Sequence, residues 1–514
     1  MTYFGGGGCV LGLLGTSAEF DRRNGLASIA GPTRYFLYRL LCDDEGRGVA
    51  FTVQDYVERF KLNDRVVSKA IRELSESGVL QKRFVDGGLG KRRRCLELEP
   101  QLEEALAGLE SEQPVVELRS LAEHVLTATV DDTGKPGQKW LTPYNRLVLA
   151  ALLVGSNSAG AVYGVGGSDL KRLAGLTDDG LRSQLSTLMQ RGYLRSRVAG
   201  VTGRYLLGMS KGAYFINLAH PDFMGIGGAA CFLIREAKLS SKENRYRTAF
   251  GMYNAAKVIG SLQQKEAREA NKSARWRAGD TGILPSTQTA MEFERAFTAR
   301  GELRAPCNLH ENFRDTPSER FSRYLQMLIN RYASLIVNSC LHHGGWDGND
   351  ENGELRTEIR QHLGTKAAQA PLAVVDAIVC ASIHEAVRVW EVLVSDAEIW
   401  RVVMSGARCL ILPLFEVRDA HVVTPIVLSG EGIPDEMRGE CWKVSMLPDL
   451  GRRLYRQSYR RHAGKEQELG AQAELWGLRG VGKRYPLNKS HGSGLAEDAS
   501  FSNLVTGAPP TEGD

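Results

Sequence analysis

Leu62, Val67, Ile71, Leu74, Gly78 and Leu80 recur 114 positions later as Leu176, Leu181, Leu185, Leu188, Gly192 and Leu194, with no gap between the two sets. Within each set the large residues fall at helical spacing, so each builds one buried face. Each helix closes on a glycine, where a left-handed residue costs little. A strand-like run follows each glycine. In the first copy Val79 to Val85 leads into the turn Asp86-Gly87-Gly88 and returns as Arg93 to Leu98. In the second, Leu194 continues through V-A-G-V-T-G-R-Y-L-L. One amphipathic helix ending in glycine is unremarkable. Two in register, with a hairpin behind each, limit the chain to folds that hold two copies of one small unit.

Each copy has the same preamble. Thr33 to Cys42 predicts a first helix carrying Tyr35, Phe36, Leu37, Leu40 and Leu41, and Thr52 to Phe60 a second. Asn63 or Asp64 can cap the third, because a short side-chain oxygen accepts a free amide there. In the second copy T-P-Y-N-R-L-V-L-A-A-L-L-V predicts the first helix, with Pro143 at a helix start where its missing amide is harmless. Ser168 to Ala174 and Asp178 to Arg191 predict the second and third.

Charge gathers on the first copy. Arg65 to Arg94 holds nine Lys/Arg against three acids, net +6, whereas the whole 514-residue chain is only +5. Asp178 to Arg204 holds five Arg against two Asp, net +3. Arg65, Ser68, Lys69 and Arg72 fall opposite the apolar face of the first third helix, and Arg182, Ser183, Ser186 and Thr187 on the second. A charge run is commonly just a solvated face. The duplication shifts the reading toward a surface with a purpose.

A capped third helix with a basic outer face, followed by a basic-tipped hairpin, resembles the recognition helix and wing of a winged-helix (winged helix-turn-helix) DNA-binding domain of bacterial type. The resemblance implies that the chain binds double-stranded DNA. Arg65, Lys69, Arg72 and Arg182 would donate to guanine edges in the major groove, and Ser68, Ser183 and Ser186 would reach phosphates or bases. Lys91, Arg92, Arg93, Arg94, Arg197 and Arg204 would neutralise the flanking backbone, a sequence-independent and salt-dependent role. By charge the first copy is the stronger binder. The second binds a neighbouring half-site or serves as a packing module. The reading favoured is a transcriptional regulator, cytoplasmic and nucleoid-associated, in the style of mobile-element proteins. The alternative is a replication-initiation or partition protein of a plasmid or integrative element, since plasmid initiators also carry paired winged helices.

The expected fold is mainly α with small β-hairpin wings, completed by a mostly helical α+β C-terminal region. Residues 1–30 form a flexible Gly-rich lead, 31–99 the first winged helix, 100–139 a helical linker (Pro100 to Gly108, Val115 to Ala128) and 140–222 the second winged helix. Residues 223–482 form the C-terminal domain, open to self-association or another protein partner, and 483–514 a disordered tail. Lys242 to Arg277 carries nine Lys/Arg and three Glu with Tyr246, Phe250, Tyr253 and Trp276 interleaved, which suits either a phosphate-tracking surface or an amphipathic core helix. Ser318 to Leu341 and Pro371 to Val394 predict helices, and Cys409 to Glu416 with His421 to Ser429 a strand pair.

No catalytic grouping stands out, and neither an enzyme activity nor a cofactor is expected. The Gly477 to Arg484 loop has Arg484 where a phosphate-binding loop needs a hydroxyl, and Tyr485-Pro486 opposes the helix that must follow. Cys307, His310, Cys340, His342 and His343 lack regular zinc spacing. Asp347 to Glu358 departs from a calcium loop at Glu351 and Gly353, and His384-Glu385 lacks the second histidine of a zinc-protease helix. Nine cysteines without a paired framework suit reduced thiols. No stretch approaches the roughly 20 apolar residues of a membrane span, and the apolar start lacks the basic residues of a signal peptide.

Overall fold

The two copies are each built around one helix that is buried on nearly every side. In the first, α2 (Gly31–Cys42) has Thr33 through Leu41 inside, and in the second, α7 (Pro143–Val154) has Asn145 through Leu153 inside. Helices buried on nearly every side are enclosed by others, and their buried arginines need partners there. The structure is a computed structural model. It describes residues 14, 16–43, 51–86, 92–112, 118–128, 141–202, 209–223, 230–238, 246–272, 284–298, 319–342, 354–364, 371–394, 397–413, 417–418, 421–430, 433–434, 441–447 and 451–457.

In chain order the first unit is α1 (Ala18–Arg23), α2, α3 (Val53–Phe60), α4 (Asp64–Glu76) and an antiparallel hairpin of β1 (Leu80–Asp86) and β2 (Arg92–Leu98). Helices α5 (Pro100–Glu112) and α6 (Arg119–Thr127) lead to the second unit. That unit is α7, β3 (Ala161–Val162), α8 (Gly167–Ala174), α9 (Asp178–Gln190), β4 (Leu194–Val198) and β5 (Ala213–Ile216), its strands forming a three-stranded sheet in the order β3-β5-β4. The 114-residue offset therefore holds for whole elements: α3 onto α8, α4 onto α9 and the start of β1 onto that of β4.

The units pack on each other through α2 and α7, with α6 against both. Tyr35 donates its hydroxyl to Leu126 O at 2.9 Å, Arg39 donates to the same carbonyl at 3.1 Å, and Arg146 donates to Val125 O at 3.2 Å. Two arginines thus satisfy the free carbonyls at the C-terminal end of α6, where the helix dipole favours positive charge. Arg34 and Arg146 hold matching places, each donating Nε to the carbonyl five residues earlier, Ile29 and Leu141.

Residues 16–30 are not a flexible lead. Asp21 on α1 is 1% exposed and its carboxylate meets Arg34 at 3.4 Å, Arg172 of α8 at 2.6 Å and the Thr16 hydroxyl at 3.1 Å. The segment is ordered because it joins the two units. Residues 1–13, and the tail expected from 483, lie outside the described residues.

The C-terminal region begins with β6 (Ala230–Lys238). Helices α10 (Ala249–Lys272), α11 (Pro285–Thr298), α12 (Glu319–His342), α13 (Glu354–Leu363), α14 (Leu372–Leu393) and α15 (Ala397–Met404) follow. Strands β7 (Arg408–Ile411), β8 (Val417–Arg418), β9 (His421–Ser429), β10 (Cys441–Leu447) and β11 (Gly451–Gln457) complete it. The expected pairing of the 409 and 421 segments is present as β7 against β9. It belongs to a larger mixed sheet, six strands in the order β11-β10-β6-β9-β7 with β8 beside β9, in which β6 and β10 run parallel. The sheet packs on α12 and α14 through Cys231, Leu233, Ile426 and Leu428, all buried with Val337, Val389 and Val392. Fully burying each such side chain is worth about 1.5–3 kcal/mol relative to exposure. No helix among the described residues is long and apolar enough to cross a membrane.

Candidate nucleic-acid interface

The turn between α3 and α4 sets the direction of the third helix. Thr52 caps α3 in a reciprocal box with Asp55, the Asp55 amide donating to Thr52 Oγ1 at 3.2 Å and the Thr52 amide to Asp55 Oδ2 at 2.6 Å. Lys61 then turns the chain at φ 52°, the one non-glycine with positive φ among the described residues. Its counterpart Gly175 has φ 60°, and a Cβ there would come within 2.6 Å of the Gly31 nitrogen. The second turn therefore requires glycine because it abuts the first unit. Asn63 caps α4, accepting from the Arg65 amide at 2.9 Å.

On α4, Val67, Ala70, Ile71 and Leu74 are buried, and Arg65, Ser68, Lys69 and Arg72 are exposed as one stripe. Glu73 sits at the edge, accepting from the Thr33 hydroxyl at 2.6 Å and from Lys69 Nζ at 3.4 Å. Among the described residues the guanidinium groups of Arg65 and Arg72 have no ion-pair partner. A capped helix holds both toward solvent.

The hairpin adds Lys82 and Arg83, both exposed on β1, with Arg83 paired to Glu97 at 3.3 Å. Sequence pattern counts Lys82 toward the charge of this copy, and the structure adds that its side chain is exposed. The backbones of Arg92, Arg93 and Arg94 pair with Asp86, Val85 and Phe84 at the far end of the ladder. Their side chains, and Lys91 altogether, lie outside the described residues.

On α9, Leu181, Leu185 and Leu188 are buried and Arg182, Ser183 and Ser186 exposed, capped by Thr177 accepting from the Gly180 amide at 3.2 Å. The electrostatics differ from α4. Arg182 is paired with Asp179 at 3.2 Å, and Lys171 at the end of α8 with Asp178 at 2.8 Å. The hydrogen bond and charge of Lys171 hold the Asp178 carboxyl below the usual carboxylate range. Arg197 is exposed on β4 opposite Tyr214. Arg195 donates to Asn217 Oδ1 at 2.6 Å, and Lys211 reaches Asp169 at 2.9 Å and Gly164 O at 3.0 Å. Arg204 lies outside the described residues. Among the described residues Lys171, Arg182, Arg195 and Lys211 are thus engaged within the second unit, and Arg146 and Arg172 with residues before it.

Elsewhere, α10 buries Met252, Ala255, Ala256 and Ile259 against α11 and α12, while Lys257, Lys265 and Arg268 face outward. Tyr246 is buried, Phe250 exposed, and Trp276 lies outside the described residues. This is the amphipathic-helix pattern, with its basic residues on the solvent side. No group of His, Cys, Asp and Glu among the described residues has metal-holding geometry. Cys340 is buried on α12, and Cys307, His310, His343 and residues 477–484 lie outside the described residues. Comparison of the chain with protein-family models, with curated proteins and with solved structures finds no match.

Proposed function

We propose that the chain is a sequence-specific double-stranded DNA-binding regulator of transcription whose two three-helix-and-hairpin units act as winged helices. The observation that carries this reading is the stripe of Arg65, Ser68, Lys69 and Arg72 on a capped third helix, with two of its guanidinium groups unpaired among the described residues. An α-helix fits the major groove of B-DNA, where Arg and Lys donate to the O6 and N7 of guanine. Lys82 and the Arg92–Arg94 end of the hairpin then lie against the flanking backbone and supply affinity without sequence information. The second unit, with Arg182 already paired, adds contacts through Ser183, Ser186 and Arg197. Its packing on the first unit fixes the distance between the two contacts. The C-terminal region is left for self-association or a partner protein.

The test is selection of bound sequences from a random duplex pool by the full chain, followed by anisotropy titration of the selected site against a scrambled one. A shared motif and a preference for it of at least about 1000-fold at physiological salt are expected. Failure to enrich any motif, with equal affinity for both duplexes, would rule out the sequence-specific reading. Binding to a single promoter-proximal site supports regulation. Binding to iterated sites, with loss of a minimal plasmid on deletion, would instead support the initiator role.

A further inference from the structure

Arg235 on β6 is 4% exposed, yet its guanidinium Nε and Nη1 have no hydrogen-bond partner. Buried polar groups in native proteins are nearly always paired, so an orphaned guanidinium calls for an occupant. Two carboxylates act on Arg235, Glu391 at an exposed position and the buried Glu385, which is engaged elsewhere. Glu385 on α14 accepts from the Thr424 hydroxyl at 3.0 Å and from Arg388 Nη1 at 3.1 Å. Thr424 faces Arg235 directly across the β6–β9 ladder. Glu385 therefore attracts Arg235 through space without closing an ion pair with it.

His384, the neighbour of Glu385, adds a second orphan. Arg247 Nη1 lies 3.3 Å from His384 Nδ1, and a guanidinium can only donate, so Nδ1 accepts and the ring proton sits on Nε2. That Nε2 is buried and without a partner. Burial, followed by the charges of Arg388 and Arg247, pushes the His384 pKa down to about 3. Its chain neighbour Glu385 accepts from Thr424, which faces Arg235 across the ladder, so the two orphans lie at one junction. Arg388 and Arg235 act on the buried Glu385 carboxylate, Arg247 meets His384, and both unpartnered groups are donors. Two unpartnered donors suit an acceptor, and the guanidinium groups of Arg235, Arg247 and Arg388 favour one that carries negative charge.

We propose that Arg235 and His384, at the junction of β6, β9 and α14, bind the carboxylate or phosphate group of a small anionic ligand. The site lies in the C-terminal region and does not depend on the DNA reading. Guanidinium groups suit such oxyanions because they are weakly hydrated, permanently charged and offer several donors in one plane.

The test uses the full chain, thermal unfolding and calorimetry, with inorganic phosphate in one arm and malonate in the other, at ionic strength held constant with sodium chloride. Saturable binding with a rise in Tm is expected in at least one arm, and the arm that responds distinguishes a phosphate from a carboxylate ligand. Arg235→Lys should weaken that Kd by about tenfold or more, since a point charge replaces the planar donor set. Arg235→Leu should abolish it, while being no less stable than the parent without anion, because a buried unpaired charge has been removed. The Arg65→Ala/Arg72→Ala double variant should bind the anion unchanged, which separates this site from the DNA surface. If Arg235→Leu does not fold, Arg235→Lys and His384→Gln give the same reading. No saturable response in either arm would mean that buried water satisfies Arg235 and would overturn the proposal. So would full binding by Arg235→Lys and His384→Gln, or loss of binding in the double variant.

Discussion

The two duplicated units share a backbone plan and differ in what their third helices leave unpaired. On α4, Arg65 and Arg72 stand without ion-pair partners among the described residues, whereas on α9 Arg182 is matched by Asp179 and the nearby Lys171 by Asp178. The turns differ in the same sense. Lys61 turns the first copy at an exposed position, but Gly175 must be glycine because the first unit presses on it. The two units thus share core positions, while among the described residues Arg65 and Arg72 stay without ion-pair partners and Arg182 is matched by Asp179.

The largest expected effect concerns the joint between the units. Asp21→Ala leaves Arg34 buried and uncompensated and should cost about 3–5 kcal/mol in chemical unfolding. Asp21→Asn, which keeps an acceptor, should cost less. A loss below about 1 kcal/mol for Asp21→Ala would show that the units are not held together here.

Next comes the shared core. Leu74→Ala and Leu188→Ala remove equivalent, fully buried side chains. Each should destabilise by about 2–5 kcal/mol, with similar values for the pair. A large cost at one and none at the other would break the equivalence of the two copies.

The surface predictions are smaller and concern binding. Arg65→Ala or Arg72→Ala should each cost about 1–3 kcal/mol in affinity for the selected site and relax base preference, measured by anisotropy. Arg182→Ala should cost less, since its charge is already shared with Asp179. The smallest effect, within about 1 kcal/mol, is a gain: Asp179→Asn frees Arg182 and should tighten binding, most visibly at low salt.

Much of the duplicated half is legible in the sequence because its signals are local. Helical spacing, Asn63 as a cap, and Gly78 and Gly192 as stops all act within a few residues, and both glycines adopt positive φ, at 69° and 80°. What escapes is decided at a distance. Residues 16–30 look like a loose Gly-containing lead until Asp21 meets Arg172, 151 residues away. The segment A-C-F-L-I-R-E-A-K suits a helix as well as a strand. It becomes β6 because β9 and β10 flank it, and strand propensity depends on such neighbours. In β10 the alternation of Trp442, Val444 and Met446 with Lys443 and Ser445 is a strand signal that a mostly helical reading of the region passes over. On the candidate surface, helical period alone places Arg65, Ser68, Lys69 and Arg72 outward. The local pairing of Arg182 is readable as an i, i+3 contact, but the Lys171–Asp178 pair spans a turn and needs the fold.

The most direct measurement is the salt dependence of duplex binding by the full chain, by Arg65→Ala/Arg72→Ala and by Arg182→Ala. The double variant should bind the selected site with only a small part of the parent's affinity. Its preference over a scrambled duplex should fall while its log–log salt slope stays near the parent's, because Arg65 and Arg72 read base edges rather than neutralise phosphates. Arg182→Ala should stay close to the parent in both. Equal weakening in the two variants, or unchanged binding by the double variant, would contradict the assignment of DNA recognition to the open face of α4.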